Sequence, residues 1–578
     1  MSAFADFHVS FGAAATPTPA RLEQPWRPAG EAPGAWRAWV AAEAARGLVQ
    51  TRTVAPWSVW LVGELVRYDA LSAPADPLGA FVLDLRNGKE NAAALDGHFA
   101  LFAWNAEARE WHVWTDRFGT LHAYVGTNGG RAAIGTFHPA VGRAVDASKF
   151  DWLGLSGFFA MGFFPEDRTH FEDVRIVRPA VHLVCDAHGS RRREERYWDW
   201  HHAPDPALSF DAAVDEFGDR LRRVLRSETG NARIALPISG GLDSRTTVGA
   251  VTPATTVVWS YSYGYGERSI ETRIARRVAA ARGLPFESFG IPEYLFDRMD
   301  DVLAATEGFN DLTQTRQVSV SAALGSHADA VIAAHWGDVW LDHTGGGGET
   351  AAARKMKQGG RGWLLDHIAA PRLGSDPERA VDDCIAREMS NIPPMADDDF
   401  RLKALKTDSW SFRWTSVGVR AFQLGAFPRL PFYDSAMAEF FCRLPTDYVR
   451  GRRLQVEWLK RHAPDLARIT WQAHDADLRT YPFAGTLLLP KRAIKKAWRA
   501  ISGAEVIERN WEVQFLSPRG RERLRGALLG GGRRVHEFVA PAAIESLLRA
   551  FFEQPLEQKR GYTVAMLLTF AEWLERYA

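Results

Sequence analysis

The chain has 578 residues, too many for one hydrophobic core, so two domains are expected. Seventy Lys and Arg balance seventy Asp and Glu, which argues against a broadly basic nucleic-acid binder, and no run of about 18 apolar residues predicts a membrane-spanning helix. The three cysteines (Cys185, Cys384 and Cys442) have no metal spacing, and MSAFADFHVSFG lacks a secretion signal's basic and apolar regions, so a cytoplasmic protein is expected.

In chain order, the first 200 or so residues predict a β-rich domain. WSVWLVGELV, HFALFAWN, EWHVWTD, LHAYVG and RAAIGTF are short apolar-aromatic runs divided by Gly, Asn and Asp, as in antiparallel strands and hairpins. DWLGLSGFFAMGF interrupts them as a helix. HHAPDPALSFD, residues 201–211, combines Pro, Asp and Ser and reads as a linker, which puts the domains at 1–203 and 209–578. Strand–helix alternation then begins. FDAAVDEFGDRLRRVLRSE is an amphipathic helix, RIALPI a strand, SRTTVGAVT a helix start, TTVVWSYSY a second strand, SIETRIARRVAAARG a helix ending at Gly283, and ADAVIAAHWGD a third strand. Such alternation predicts a doubly wound parallel sheet, followed by a mostly helical C-terminus. GGGG at 345–348 and KQGGRG at 357–362 bracket a segment expected to move.

The loop after RIALPI carries the most chemistry. In ALPISGGLDSRTT, Ser239, Gly240, Gly241, Leu242, Asp243 and Ser244 lie beyond the carboxyl end of a strand, where open α/β sheets bind ligands. Two glycines allow close backbone approach, and exposed N–H groups at a helix start attract an anion. Asp243 would repel a bare phosphate, so its presence implies an intervening Mg²⁺. Two glycines alone would make only a tight turn with Asp243 as a cap; the complete string is more specific. It resembles the signature of ATP pyrophosphatases, which form AMP and pyrophosphate, and no G-x-x-x-x-G-K-[ST] string is present. VIAAHWGDVWLDHTG ends a strand at Gly337-Asp338, which makes Asp338 the second metal-ligand candidate, with Asp342 in reserve.

The order of motifs resembles asparagine synthetases and their relatives over nearly the whole chain. LDGHFALFAWNAEAREWHVWTDRFGTLHAYVG (95–126) and RYWDW (196–200) resemble the family's glutaminase-type domain. EFGDRLRRVLRSE, LPISGGLDSRT, ERSIETRIARRVAAARGLPFE with Glu271, EGFNDLTQ (307–314), HWGD and PRLPFYDSAMAEFFCRLP (428–445) resemble segments of its synthetase domain. The resemblance implies an α/β two-domain chain. Its first half would be an Ntn-hydrolase-like, class II glutamine amidotransferase-like sandwich, and its second an ATP pyrophosphatase domain using ATP and Mg²⁺.

The departures are informative. The family's N-terminal cysteine nucleophile is Ser2 here, its N-G-E string is Val62-Gly63-Glu64, and its R-G-P-D string is missing near 50–57. Valine offers no donor to an oxyanion, so a retired glutaminase is expected. The same pattern resembles β-lactam synthetases and lasso-peptide macrolactam synthetases, in which an amine already present attacks an adenylated carboxylate. The family's lysine after the R-x-P-F-x-D helix is absent from RITWQAHDADLRTY (468–481); Arg479, His474 or the more distant Lys491 are the substitutes on offer. The expected catalytic set is therefore Asp243, Asp338, Arg479 and His474, with Asp243 and Asp338 holding the metal.

Three functions compete: a specialised amide or macrolactam synthetase acting on a carboxylate and an amine, such as a precursor peptide; an asparagine synthetase using ammonia, or glutamine with an atypical nucleophile; and a nucleotide-binding scaffold. The basic stretches at 491–503 and 518–526 read as solvated helix faces, and the 22 tryptophans as core. Seventeen histidines show no H-E-x-x-H spacing.

Overall fold

The computed structural model describes the chain except residues 1, 13–15, 44–45, 69–75, 252–256, 266–268, 346–351, 353–355, 358–361, 484–506, 508 and 556. The expected moving segment at 345–362, the basic stretch at 491–503 and Lys491 fall largely or wholly outside the described residues.

Two six-stranded antiparallel sheets fill the first half. One has the order β10-β8-β9-β1-β3-β2 and the other β12-β11-β7-β6-β5-β4. The strands are β1 (Ala5–Phe11), β2 (Arg27–Ala32), β3 (Trp36–Ala42), β4 (Val49–Val54), β5 (Trp57–Tyr68) and β6 (Leu95–Asn105). They continue with β7 (Glu110–Thr115), β8 (Tyr124–Asn128), β9 (Arg131–Gly135), β10 (Val174–Ile176), β11 (Val181–Asp186) and β12 (Arg191–Arg196). Strand β6 is apolar on both faces because both are covered. Ala100, Phe102 and Trp104 point between the sheets, against Phe7, Trp36 and Trp111, whereas Phe99, Leu101 and Ala103 face Phe81 and Leu85 of helix α1 (Pro77–Arg86). The other sheet's outer face is covered by α2 (His138–Ala144), whereas α3 (Trp152–Met161), which the sequence predicts, packs against helix Pro377–Asn391. The layers therefore run helix, sheet, sheet, helix.

Residues 201–209 form no regular element, but their backbone is docked: Ala203 and Asp205 donate to the carbonyls of Cys442 and Arg443. Helix α4 (Phe210–Thr229) starts where Ser209 caps it through Ala212 N–H, and it stops at Gly230. A five-stranded sheet follows, ordered β15-β14-β13-β16-β17 with every neighbouring pair parallel. Its strands are β13 (Ile234–Pro237), β14 (Val257–Gly264), β15 (Phe286–Gly290), β16 (Ala330–Ile332) and β17 (Phe427–Arg429). Helix α5 (Asp243–Ala250) joins β13 to β14, and α6 (Ile270–Ala281) joins β14 to β15. The sequence signal missed β15, whose residues are largely exposed, and β17, only three residues long. The chain order reverses between β13 and β16, which opens a crevice at the carboxyl ends of these two strands.

One apolar cluster runs from Tyr124, Val141 and Leu155 of the first half through Leu221, Leu236 and Val331 to Leu548 and Leu574, so the halves share a core. Buried ion pairs cross the same boundary. Arg21 donates to Asp6 at 2.9 Å and to Glu307 at 3.0 Å, and Glu307 also accepts from Arg420 and from His138 N–H. Arg67 pairs with Asp96 and Asp434, and Arg429 with Glu64. No helix among the described residues is long and apolar enough to cross a membrane.

Candidate active site

The crevice between β13 and β16 holds a cavity of about 300 Å³. Ser239, Asp243 and Ser244 line it from the loop after β13, and His335, Trp336 and Asp338 from the turn after β16. Tyr261, Tyr263 and Glu271 come from β14 and α6, and Arg316 closes the side. Both sequence-predicted carboxylates therefore reach one space from different strands.

The loop is held by its own hydroxyls. Ser244 Oγ accepts the Ser239 N–H at 3.0 Å and lies 3.0 Å from Ser239 Oγ, which accepts the Gly241 N–H at 3.2 Å. Gly240 packs so closely under residues 466–472 that a Cβ there would fall 2.1 Å from Gln472 Oε1. Arg245 fixes that underlying segment, donating to the carbonyls of Ile469 (2.8 Å) and Thr470 (2.7 Å). Burial pushes its guanidinium down to about 10. Asp243 opens α5, where the helix dipole also favours negative charge.

Asp243 is the electrostatic centre. Burial raises its carboxyl above the usual range and the neighbouring Asp338 raises it further, while Arg452 and Gln455 pull it back. Arg452 Nη1 donates to Asp243 Oδ1 at 2.6 Å, and Gln455 Nε2 donates to the same oxygen at 3.0 Å. Arg452 meets part of the negative charge of this desolvated cleft, and Asp243 and Asp338 are the residues that could hold a cation such as Mg²⁺. Asp338 follows Trp336, held at φ 71°, and Gly337, where a Cβ would come within 2.9 Å of both Asp243 Cγ and Phe432 Cε2. Asp342 is turned elsewhere: its Oδ1 accepts from His343 and Gly451 N–H, and its other oxygen lies 3.7 Å from Arg452. Burial lowers His335 to about 4, and its Nδ1 has no hydrogen-bond partner. Glu271 is raised by burial against the opposing pull of Arg316.

Arg479 and His474 do not line the cavity. Arg479 is exposed, its N–H bound to Asp477, and the His474 ring packs on Trp471 and Tyr481. The cation at Asp243 is instead Arg452, which sits in the left-handed region (φ 62°) at the start of helix Arg453–His462. No local motif marks it; YVRGRRLQVEW gives only a basic run.

The region around Ser2 is filled. Ser2 Oγ accepts from Gln24 Nε2 at 2.8 Å, and Ala3 packs with Leu48 and Phe427 of β17. Val62 is buried between the sheets, and the Gly63 N–H is already bound to Leu48 O at 2.8 Å. Gly63 has φ 94°, and a Cβ on it would meet His98 O at 2.2 Å.

Residues 81–198 match a model described as a glutamine amidotransferase domain, so the first half is amidotransferase-like. The match begins after Ser2 and after Val62-Gly63-Glu64. Among solved structures, the chain is similar to glutamine phosphoribosylpyrophosphate amidotransferase from B. subtilis complexed with ADP and GMP. Identity is 16% over 44% of this chain and 51% of that one, with a TM-score of 0.18. A second, the allosteric regulatory enzyme of purine biosynthesis, gives 15%, the same coverages and a TM-score of 0.17. The chain thus spans about half the length of these structures. No curated protein matches it.

Proposed function

We propose that the chain is an ATP-dependent amide-bond synthetase that forms AMP and pyrophosphate, its second half activating a carboxylate for attack by an amine. The observation that carries this is the convergence of the S-G-G-L-D-S loop and Asp338 on one cavity at the switch point of a parallel sheet. Asp243 and Asp338 would hold Mg²⁺, which when bound neutralises charge on the departing pyrophosphate. The N–H groups of the 239–244 loop that are not bound within it would grip phosphate oxygens, and Arg452 keeps Asp243 oriented. The substrate carboxylate attacks the α-phosphate, pyrophosphate leaves, and an amine then displaces AMP from the acyl-adenylate. The first half is inert as a glutaminase because Val62 is buried and the Gly63 N–H is engaged, so the amine belongs to the second substrate. A macrolactam closure within one peptide fits this requirement.

Product analysis by mass spectrometry tests the proposal, with Mg-ATP and either aspartate plus ammonium or glutamine, or peptides bearing a free amine and a side-chain carboxylate. AMP with a cyclised peptide supports macrolactam closure. AMP with asparagine from ammonium alone makes aspartate the carboxylate, and asparagine from glutamine contradicts the inert first half.

Two variants sharpen this. Gly337→Ala should displace Asp243 and slow AMP formation by about a hundredfold while leaving the melting temperature within a few degrees, as calorimetry alongside the rate assay will show. Ser2→Cys should release no glutamate from glutamine in a coupled dehydrogenase assay, since Val62 offers no side-chain donor and the Gly63 N–H is already engaged.

A further inference from the structure

Outside the nucleotide cavity, one cluster of metal-ligating side chains lies on the outer face of the second antiparallel sheet. His182 of β11 is flanked by Trp114 of β7 and Glu195 of β12 on one rung, and Glu90 reaches over it from the loop after α1. Nδ1 of His182, an oxygen of Glu90 and an oxygen of Glu195 all lie within 4.8 Å of one another. His182 Nδ1 is 2.5 Å from Glu90 Oε1 and 3.8 Å from Glu195 Oε1. The His182 side chain is 1% exposed, the two glutamates 36% and 50%, so the imidazole is fixed inside and the carboxylates open outward.

The hydrogen bonds around the imidazole point to a cation. Its Nε2 is 2.9 Å from His112 Nδ1, and Trp114 stacks on the ring at 4.4 Å and 11°. Trp114 Nε1 also donates to Glu90 Oε1 at 3.2 Å. In the tautomer whose Nε2–H donates to His112, the Nδ1 lone pair faces the Glu90 and Glu195 carboxylates, a donor set that a cation can complete. Nδ1 is buried and its close approach to Glu90 Oε1 does not form a hydrogen bond of normal geometry. A ligating histidine commonly donates its other N–H to a buried partner in this way. Arg193 is the competing charge, 4.0 Å from Glu90 and 3.5 Å from Glu195, and its side chain is half exposed.

We propose that His182, Glu90 and Glu195 form a divalent transition-metal site, suited to Zn²⁺, with a solvent-facing position left for water. One imidazole and two carboxylates is a donor set zinc accepts, at about 2.0–2.2 Å, and slight retreat of Glu90 from Nδ1 makes that room. The site is separate from the Asp243–Asp338 pair and independent of the adenylation proposal.

Zinc titration of the chelator-treated full chain by calorimetry, followed by metal analysis after dialysis, tests it. The expected result is one zinc per chain, retained by Asp243→Asn and weakened at least tenfold by Glu195→Gln. Glu195 is an exposed edge-strand residue, so its variant should keep the parent melting temperature. His182→Gln should abolish binding and the visible spectrum of a Co²⁺-substituted protein. No stoichiometric zinc, or equal affinity in Glu195→Gln and His182→Gln, overturns the assignment.

Discussion

Asp243→Asn should reduce AMP formation from Mg-ATP by at least about a hundredfold while leaving the protein folded. The asparagine is nearly isosteric and can still accept from Arg452 and Gln455, so packing around α5 persists. What it loses is charge. In the parent, burial and Asp338 concentrate negative potential that Arg452 only partly offsets, and the proposed Mg²⁺ would join that potential to a phosphate. Because the Asp243 pKa is raised, the parent's activity should fall as pH drops toward that raised value, earlier than an exposed carboxylate would dictate. The variant should show no such limb. Rates across pH, with melting temperature recorded beside each, check both statements; undiminished AMP formation would remove Asp243 from the metal site.

Arg21→Met should destabilise the chain by about 3–5 kcal/mol, the usual cost of leaving buried charge uncompensated. Arg21 is 3% exposed and satisfies Asp6 and Glu307 across the junction of the two halves. After its removal Glu307 retains Arg420 and His138 N–H, and Asp6 retains Thr136, so the loss stops short of unfolding. The exposed pair Arg131–Asp146 is the control: Arg131→Ala should cost under about 1 kcal/mol. Calorimetric melting of both variants distinguishes the cases.

The parts of the site that were legible in sequence are those written locally. Ser239 to Ser244 sit in six consecutive positions, and Asp338 ends an apolar strand, so strand-end logic found both. Arg452 was not legible, because a left-handed turn 209 residues beyond Asp243 delivers it. Arg479 and His474 were reasonable substitutes by chain position, yet 3D packing directs them to solvent and to Trp471. The zinc cluster escaped motif reading for the same reason: its ligands come from one loop and two strands, and only sheet register makes them neighbours. Among strands, apolar runs such as β5–β9 and β16 announced themselves, whereas β2 and β12 are polar edges and β17 is too short for a period to register. Helices α4 and α6 were readable from amphipathic spacing and from their stops at Gly230 and Gly283.

Phosphorus NMR of Mg-ATP turnover, in the presence of a mixed set of peptide carboxylates and amines, reads the cleaved bond directly. The account predicts AMP and pyrophosphate in equal amounts, dependent on the added carboxylate and on Asp243. ADP with phosphate, or an ATP signal unchanged across the whole set, would contradict it.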